Sequence, residues 1–316
     1  MALAANALWA LAFLAPYVSG ALHGADFVFL RFSFYGGLAA VLILQMQREG
    51  AELHFRHAIK AMTLGAVGYA FSFLCTYFAV ELAGGVLAAL LIGLVPVVFS
   101  IGANLHEKAL PWPPLLIAAG AILLGLVVLQ ADNLRSLAAT EGGWRTWLGT
   151  LCGLGAMLSW GFFVLNNKAG NVTGLSPSQE NRLWVAWIGV GSFLGSAIIL
   201  LPFLATGQSQ IPNLFAVAQH DWRPIALAAF MSLFSTWAAT WLWREGVRHL
   251  TPALTAQLAA SETLFAVAYA LFYERTVPSV GVATGAVLIM GGIMLTSAIP
   301  FMVGRLRSRR AVPTDD

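Results

Sequence analysis

Long apolar runs alternate with short polar breaks from one end of this chain to the other. A helix needs about 20 mostly apolar residues to cross a bilayer. Runs of that kind fall at 3–22, 26–46, 58–79, 84–105, 112–130, 147–168, 182–203, 222–244, 252–273 and 279–303. Breaks such as "QREGAELHFRH", "HEKALPWPP", "DNLRSLAATEGGWR" and "ATGQSQIPN" punctuate them. The pattern predicts an all-α integral membrane protein of ten transmembrane helices, with short loops that make neighbouring helices antiparallel. No polar stretch is long enough to form a separate soluble domain. The first run lacks the basic flank of a cleaved signal and reads as a membrane helix.

Composition agrees with the pattern. The 316 residues are 59% hydrophobic and 10% charged, with mean hydropathy +0.78, whereas soluble domains carry about 25% charged residues. The lipid bilayer is therefore the first expected partner. A net charge of +3, scattered along the chain, argues against nucleic acid. Cys75 and Cys152 lie in separate apolar runs without CxxC spacing and read as small core residues. With the N-terminus inside, inner loops and ends hold twelve Lys and Arg; the outer loops, with Arg31, Arg135, Arg145, Arg223 and Arg275, hold five. The excess predicts cytoplasmic termini in a plasma membrane, the bacterial inner membrane being the natural setting.

The chain also repeats itself. "HEKALP" and "YERTVP" close two runs, and Glu107 and Glu274 stand 167 residues apart (274 − 107). At that offset Pro111 meets Pro278, Ile122 meets Ile289 and Gly125 meets Gly292; at offset 151 Trp9 meets Trp160 and Arg31 meets Arg182. Residues 3–130 and 147–303 read as two five-helix copies, with 131–146 as linker and 304–316 as a basic cytoplasmic tail. Five is odd, so the second copy enters the membrane from the opposite side. That is the inverted-repeat plan of secondary transporters, whose substrate site lies between the repeats near mid-membrane.

The stretches "GVLAALLIGLVPVVFSIGANLHEKALPWPPLLIAAGAILLGLVVL" and "TPALTAQLAASETLFAVAYALFYERTVPSVGVATGAVLIMGGIML" carry a resemblance, joined by "LSWGFFVLNNK" and "VFLRFSFYGG". They resemble the EamA-type family of the drug/metabolite transporter superfamily. The resemblance implies a carrier of small organic solutes, often an exporter of amino acids or related metabolites, with a cavity opening alternately to each side. It implies nothing about a particular substrate. One departure stands out: the fourth run has the family's Pro96, and the ninth has Thr263 there, preceded by Glu262.

Glu262 lies ten residues into its run, roughly 15 Å at the helical rise and hence at mid-bilayer. Intramembrane charge is expensive and usually functional. It reads either as a cavity carboxylate that holds an amino group or takes up a proton, or as a hydrogen-bonded tie between helices. Gln257 and Ser261 share a neighbouring face. Ser232, Thr236 and Thr240 recur at i, i+4, i+8, flanked by Trp237 and Trp241; Tyr69, Phe73 and Tyr77 form an aromatic stripe at the same spacing. Tyr69 and Phe73 align with Thr236 and Thr240 at offset 167. An aromatic wall facing a hydroxyl wall suits a small amphipathic solute, while Ser and Thr also bond across ordinary helix contacts. Trp9 and Trp160 divide between cavity lining and the interfacial belt, to which Trp112, Trp144, Trp147 and Trp222 belong by position. Arg31 and Arg182 read as anchors near opposite faces, with gating pairs as the alternative, and Arg244 as an arginine that snorkels to the interface.

"HFRH" offers two histidines without a third ligand, so no metal is expected, and no cofactor motif appears. No nucleophile–base set or phosphate loop is present, which points away from an enzyme or an ATP-driven pump. The reading is a secondary transporter, with organic-cation or multidrug efflux as the alternative and a non-transporting scaffold behind it. The absence of any mid-run Lys or Arg weighs against polyanionic solutes. Proton coupling and the choice between monomer and homodimer stay open.

Overall fold

The computed structural model describes residues 1–14, 22, 24–50, 54–83, 88, 91–108, 110–129, 131, 143–167, 175–275 and 277–310. Every regular element among them is helical. Eight helices are long and apolar enough to cross a membrane. They are α2 (Gly24–Arg48), α3 (Phe55–Ala83), α5 (Trp112–Leu129), α6 (Trp144–Asn166), α7 (Pro177–Ala205), α8 (Arg223–Val247), α9 (Pro252–Tyr273) and α10, apolar over Val280–Ile299 and helical to Arg310. Two shorter helices fall on the remaining predicted runs: α1 (Ala2–Ala10), continued by a tight turn Leu11–Leu14, and α4 (Leu91–Glu107). The rest of those two runs lies largely outside the described residues.

Local chemistry sets the ends. Ser176 accepts from the backbone of Gln179 while Gln179 returns the bond, a capping box that starts α7 at Pro177. Thr251 caps α9 ahead of Pro252. α4 and α9 stop at Lys108 (φ 48°) and Arg275 (φ 54°), both left-handed and 167 residues apart.

Interruptions recur at or close to that spacing. α3 widens to a π-helix over Gly65–Phe71 and α8 over Ser232–Ala238, so their limits differ by 167 residues at each end. α4 is interrupted at Leu94, three residues after the start of its described length, and α9 at Ala259 and Ala260. Leu94 bonds back to Leu91 at 3.2 Å, and Ala259 to Ala256 at 3.2 Å, three-residue spacings that tighten the helix. Beyond the breaks the helices resume at Val95 and Ser261.

α5 and α10 pack along a glycine seam. A Cβ at Gly125 would sit 2.7 Å from the Gly285 carbonyl, and one at Gly292 would sit 2.6 Å from Ile122. Such backbone-to-backbone closeness is how small residues join helices where lipid is as apolar as leucine. Outside the seam, Leu116, Ile117 and Leu124 of α5, Ile198 and Leu201 of α7, and Val287 and Met294 of α10 are exposed. Inside, Asn6, Asp26, Arg31, Glu180, Thr236, Thr240, Arg244 and Gln257 are buried. Apolar side chains outside and charges within make this a multi-pass membrane protein.

Candidate functional site

The π-segments of α3 and α8 place Tyr69 against Thr236 and Thr240, all three fully buried. The Trp9 indole Nε1 donates to the Tyr69 hydroxyl at 2.9 Å, and that hydroxyl lies 2.5 Å from Thr240 Oγ1. Thr240 gives its own proton to the Thr236 carbonyl at 2.6 Å. Tyr69 must therefore donate to Thr240, and the chain of protons runs one way from Trp9 through Tyr69 to α8.

Around this relay the rings close into a box. Trp160 lies 5.1 Å from Trp9 and stacks on Phe163 at 5.0 Å; Phe163 lies 4.8 Å from Tyr69, and Trp243 lies 5.1 Å from Trp9. Glu262 lies beside the Trp160 indole. Glu262 stands in the first turn of the second half of α9, a position where a helix N-terminus favours negative charge. Trp9, Tyr69, Trp160, Thr240 and Glu262 thus meet in one place.

Other residues singled out from the sequence lie around or apart from this box. Phe73 stacks beside Tyr69, with ring centroids 6.3 Å apart. Trp237 and Trp241 pack, partly buried, against the same core. Ser232 is buried one turn before Thr236. Gln257 donates to Ser100 at 3.2 Å and accepts from Thr296, bridging α4, α9 and α10. Ser261 accepts from Asn6 at 2.6 Å; the same amide reaches the Leu258 carbonyl at 2.9 Å and so satisfies backbone freed by the break in α9. Tyr77 departs from its stripe: it covers Gly24, at the start of α2, and lies beside Glu81. Trp144, Trp147 and Trp222 are mostly exposed, as residues of an interfacial belt are.

Two arginines are more deeply buried than their expected places suggest. Arg31 ties α2 to α8 as an anchor does. Its guanidinium is buried, donating through Nε (2.9 Å) and Nη2 (2.8 Å) to Thr236 Oγ1 and through Nη2 to the Ser235 carbonyl at 3.2 Å. It also lies 4.6 Å over the Phe73 ring. Arg244 does not snorkel. It is buried and grips Glu180 with two bonds, 2.9 and 3.2 Å, while stacking 4.6 Å over Trp184. His57 joins from α3 at 3.0 Å from Glu180. Compensation by polar partners held on other helices makes both burials tolerable; insertion scales put an uncompensated arginine at mid-helix about 2.5–3.5 kcal/mol uphill. Arg182, by contrast, sits half-exposed 3.8 Å from Glu49.

Arg31, Phe163, Trp243 and Asn6 were not singled out as parts of the site. Phe163 follows Trp160 by three residues, one helical turn, which is the signal that could have found it. Arg31 and Asn6 meet partners more than two hundred residues away, and spacing along one helix carries no trace of those.

These features define a class: a polytopic helical membrane protein with an aromatic, hydroxyl-bearing and charged interior. Residues 147–298 match the model of the EamA-like transporter family, so the resemblance read from the sequence is shown over that stretch. The chain is similar over nearly its whole length to Inner membrane protein YtfF of Escherichia coli (strain K12), 21% identical over 309 residues, 93% of this chain and 92% of that protein. A crystal structure of a protein 17% identical superposes with TM-score 0.69, covering 94% of this chain and 96% of the other. That last likeness concerns the fold.

Proposed function

We propose that this protein is a secondary transporter of small organic metabolites, amino acids or related compounds first, working by alternating access between two inverted five-helix repeats. One observation carries the reading: Trp9 and Tyr69 from residues 3–130 and Thr240, Trp160 and Glu262 from residues 147–303 form one polar–aromatic cluster at the contact of the two halves. The inverted repeat is supported by the 167-residue spacing of the π-segments and of the left-handed helix ends. Discontinuous helices such as α4 and α9 are where secondary transporters bind solute. Glu262 takes the amino group of the solute or a proton, and the indole and phenol faces take its apolar part. The match over 147–298 supports transport as the activity, and the likeness to YtfF supports an inner-membrane location; both termini are cytoplasmic, by the excess of Lys and Arg on the inner side, and solute leaves the cell.

Proteoliposomes holding only this protein test the reading. Radiolabelled counterflow is run with amino acids, nucleosides and organic cations at two pH values. Amino acids exchange, and Tyr69→Ala and Glu262→Gln lose at least most of that exchange. Movement of no solute above protein-free vesicles overturns it. The aromatic faces beside a single carboxylate favour one second reading, organic-cation efflux; preferential exchange of the cation panel selects it.

A further inference from the structure

Arg31 has no part in the relay just described, yet it is buried beside it. All its hydrogen bonds go to neutral oxygens: Thr236 Oγ1 at 2.9 and 2.8 Å, the Ser235 carbonyl at 3.2 Å and Ser235 Oγ at 3.3 Å. Among the described residues no carboxylate pairs with it, whereas Arg244, the other buried arginine, has Glu180. A guanidinium is always charged and presents five donors in a planar fork that matches a carboxylate. Thr236 lies thirteen residues after Arg223 in the 25-residue α8, so this unneutralised cation stands near the middle of the membrane. Phe73 and Phe32, 4.6 and 5.7 Å away, supply only ring faces.

The group is also placed relative to the proposed site. Phe73, under the guanidinium, lies 6.3 Å from Tyr69, and Tyr69 lies 5.8 Å from Trp160, beside which Glu262 sits. Arg31 and Glu262 therefore flank one aromatic box, and among the described residues neither is in a salt bridge.

We infer that Arg31 is the anion subsite of this carrier: it takes the carboxylate of the solute, and the substrate class is a carboxylate-bearing, zwitterionic small molecule with an apolar side chain. This deepens, and rests on, the transporter reading above. The two Thr236 contacts hold the fork at a fixed angle, and binding completes the neutralisation that no side chain provides. A purely structural Arg31 would stabilise α8 and leave solute charge irrelevant.

Matched probes separate these roles. The full-length protein in nanodiscs is titrated with L-phenylalanine, 3-phenylpropionate and phenethylamine, and with L-leucine, 4-methylpentanoate and isoamylamine, following tryptophan fluorescence. Each amino acid and its desamino acid should bind roughly 10- to 100-fold tighter than the amine, the range of a charge-assisted hydrogen bond. Arg31→Gln should erase that ratio, and Arg31→Lys should keep part of it. Amines binding as well as the acids, no binding by any acid, or a ratio unchanged in Arg31→Gln overturns the inference. If Arg31→Gln does not fold, the wild-type ratio and the Arg31→Lys variant still decide. Counterflow of carboxylate-free solutes alone would sink the inference and spare the transporter. Arg31-dependent acid binding with no counterflow would do the reverse.

Discussion

Tyr69 has one hydroxyl and two partners, and the partners are not equally dependent on it. Thr240 keeps its bond to the Thr236 carbonyl without Tyr69, whereas Trp9 Nε1 has no other acceptor among the described residues. Tyr69→Phe therefore leaves a buried N–H unsatisfied, costing about 1–3 kcal/mol. A thermal melt in detergent reads the loss, and adding Trp9→Phe should cost much less than it does alone. If exchange in proteoliposomes stays at the wild-type rate in Tyr69→Phe, the hydroxyl serves folding alone. At this scale the sequence was a partial guide. Tyr69, Phe73, Thr236 and Thr240 were legible because helical spacing puts them on single faces, and the offset between copies then opposed those faces. Arg31 was not, because a charge eight residues into a helix looks like an end residue until Thr236, 205 positions on, is seen to hold it.

Among the elements, the seam between α5 and α10 invites a direct test. Gly125→Val puts a branched side chain against the Gly285 carbonyl and Ile289, closer than any real contact. Overpacking of that kind costs about 1–3 kcal/mol. Gly120→Val, on the same helix with nothing within 4 Å of its Cβ, is the control and should melt like wild type apart from helix propensity. Most long helices were readable from apolar run length, with ends moved by a few residues; α6 starts at Trp144 where 147 was expected. The π-segments were not readable. "GAVGYAF" has no local feature that demands a wider turn; it lies where Gly65 meets the Ile188 carbonyl and Gly68 meets Phe163, so its shape reflects two neighbours.

Across the whole molecule, polar fasteners sit at both ends of the bundle. Asp26, at the start of α2, accepts from Ser209 at 2.6 Å and from the Gln210 backbone at 2.8 Å, on the loop before α8. At the other end Glu180 joins α7 to Arg244 of α8 and His57 of α3. Arg244→Met leaves Glu180 buried with His57 alone and should cost about 3–5 kcal/mol. Glu180→Gln combined with Arg244→Met should recover a good part of that loss in the same melt, since no naked charge remains. A C-terminal fluorescent-protein fusion checks the proposed topology: it should light up in cells, as a cytoplasmic end allows. The run count and the excess of inner arginines made the topology legible as an expectation; the inter-helix ion pairs were illegible because loop counting treats Arg244 as a boundary residue.

Lys108 and Arg275 hold a backbone shape that side-chain-bearing residues adopt at a cost of about 1–2 kcal/mol. Both close their helices where glycine is the usual choice. Lys108→Gly and Arg275→Gly should each raise stability by up to about 1 kcal/mol once the freer unfolded chain is counted. They end different helices in different halves of the chain, so the gains should add. The repeat thus supplies a matched pair of stabilising changes that leave the aromatic box untouched, and a hardier protein in which solute binding can be measured over longer times and higher temperatures.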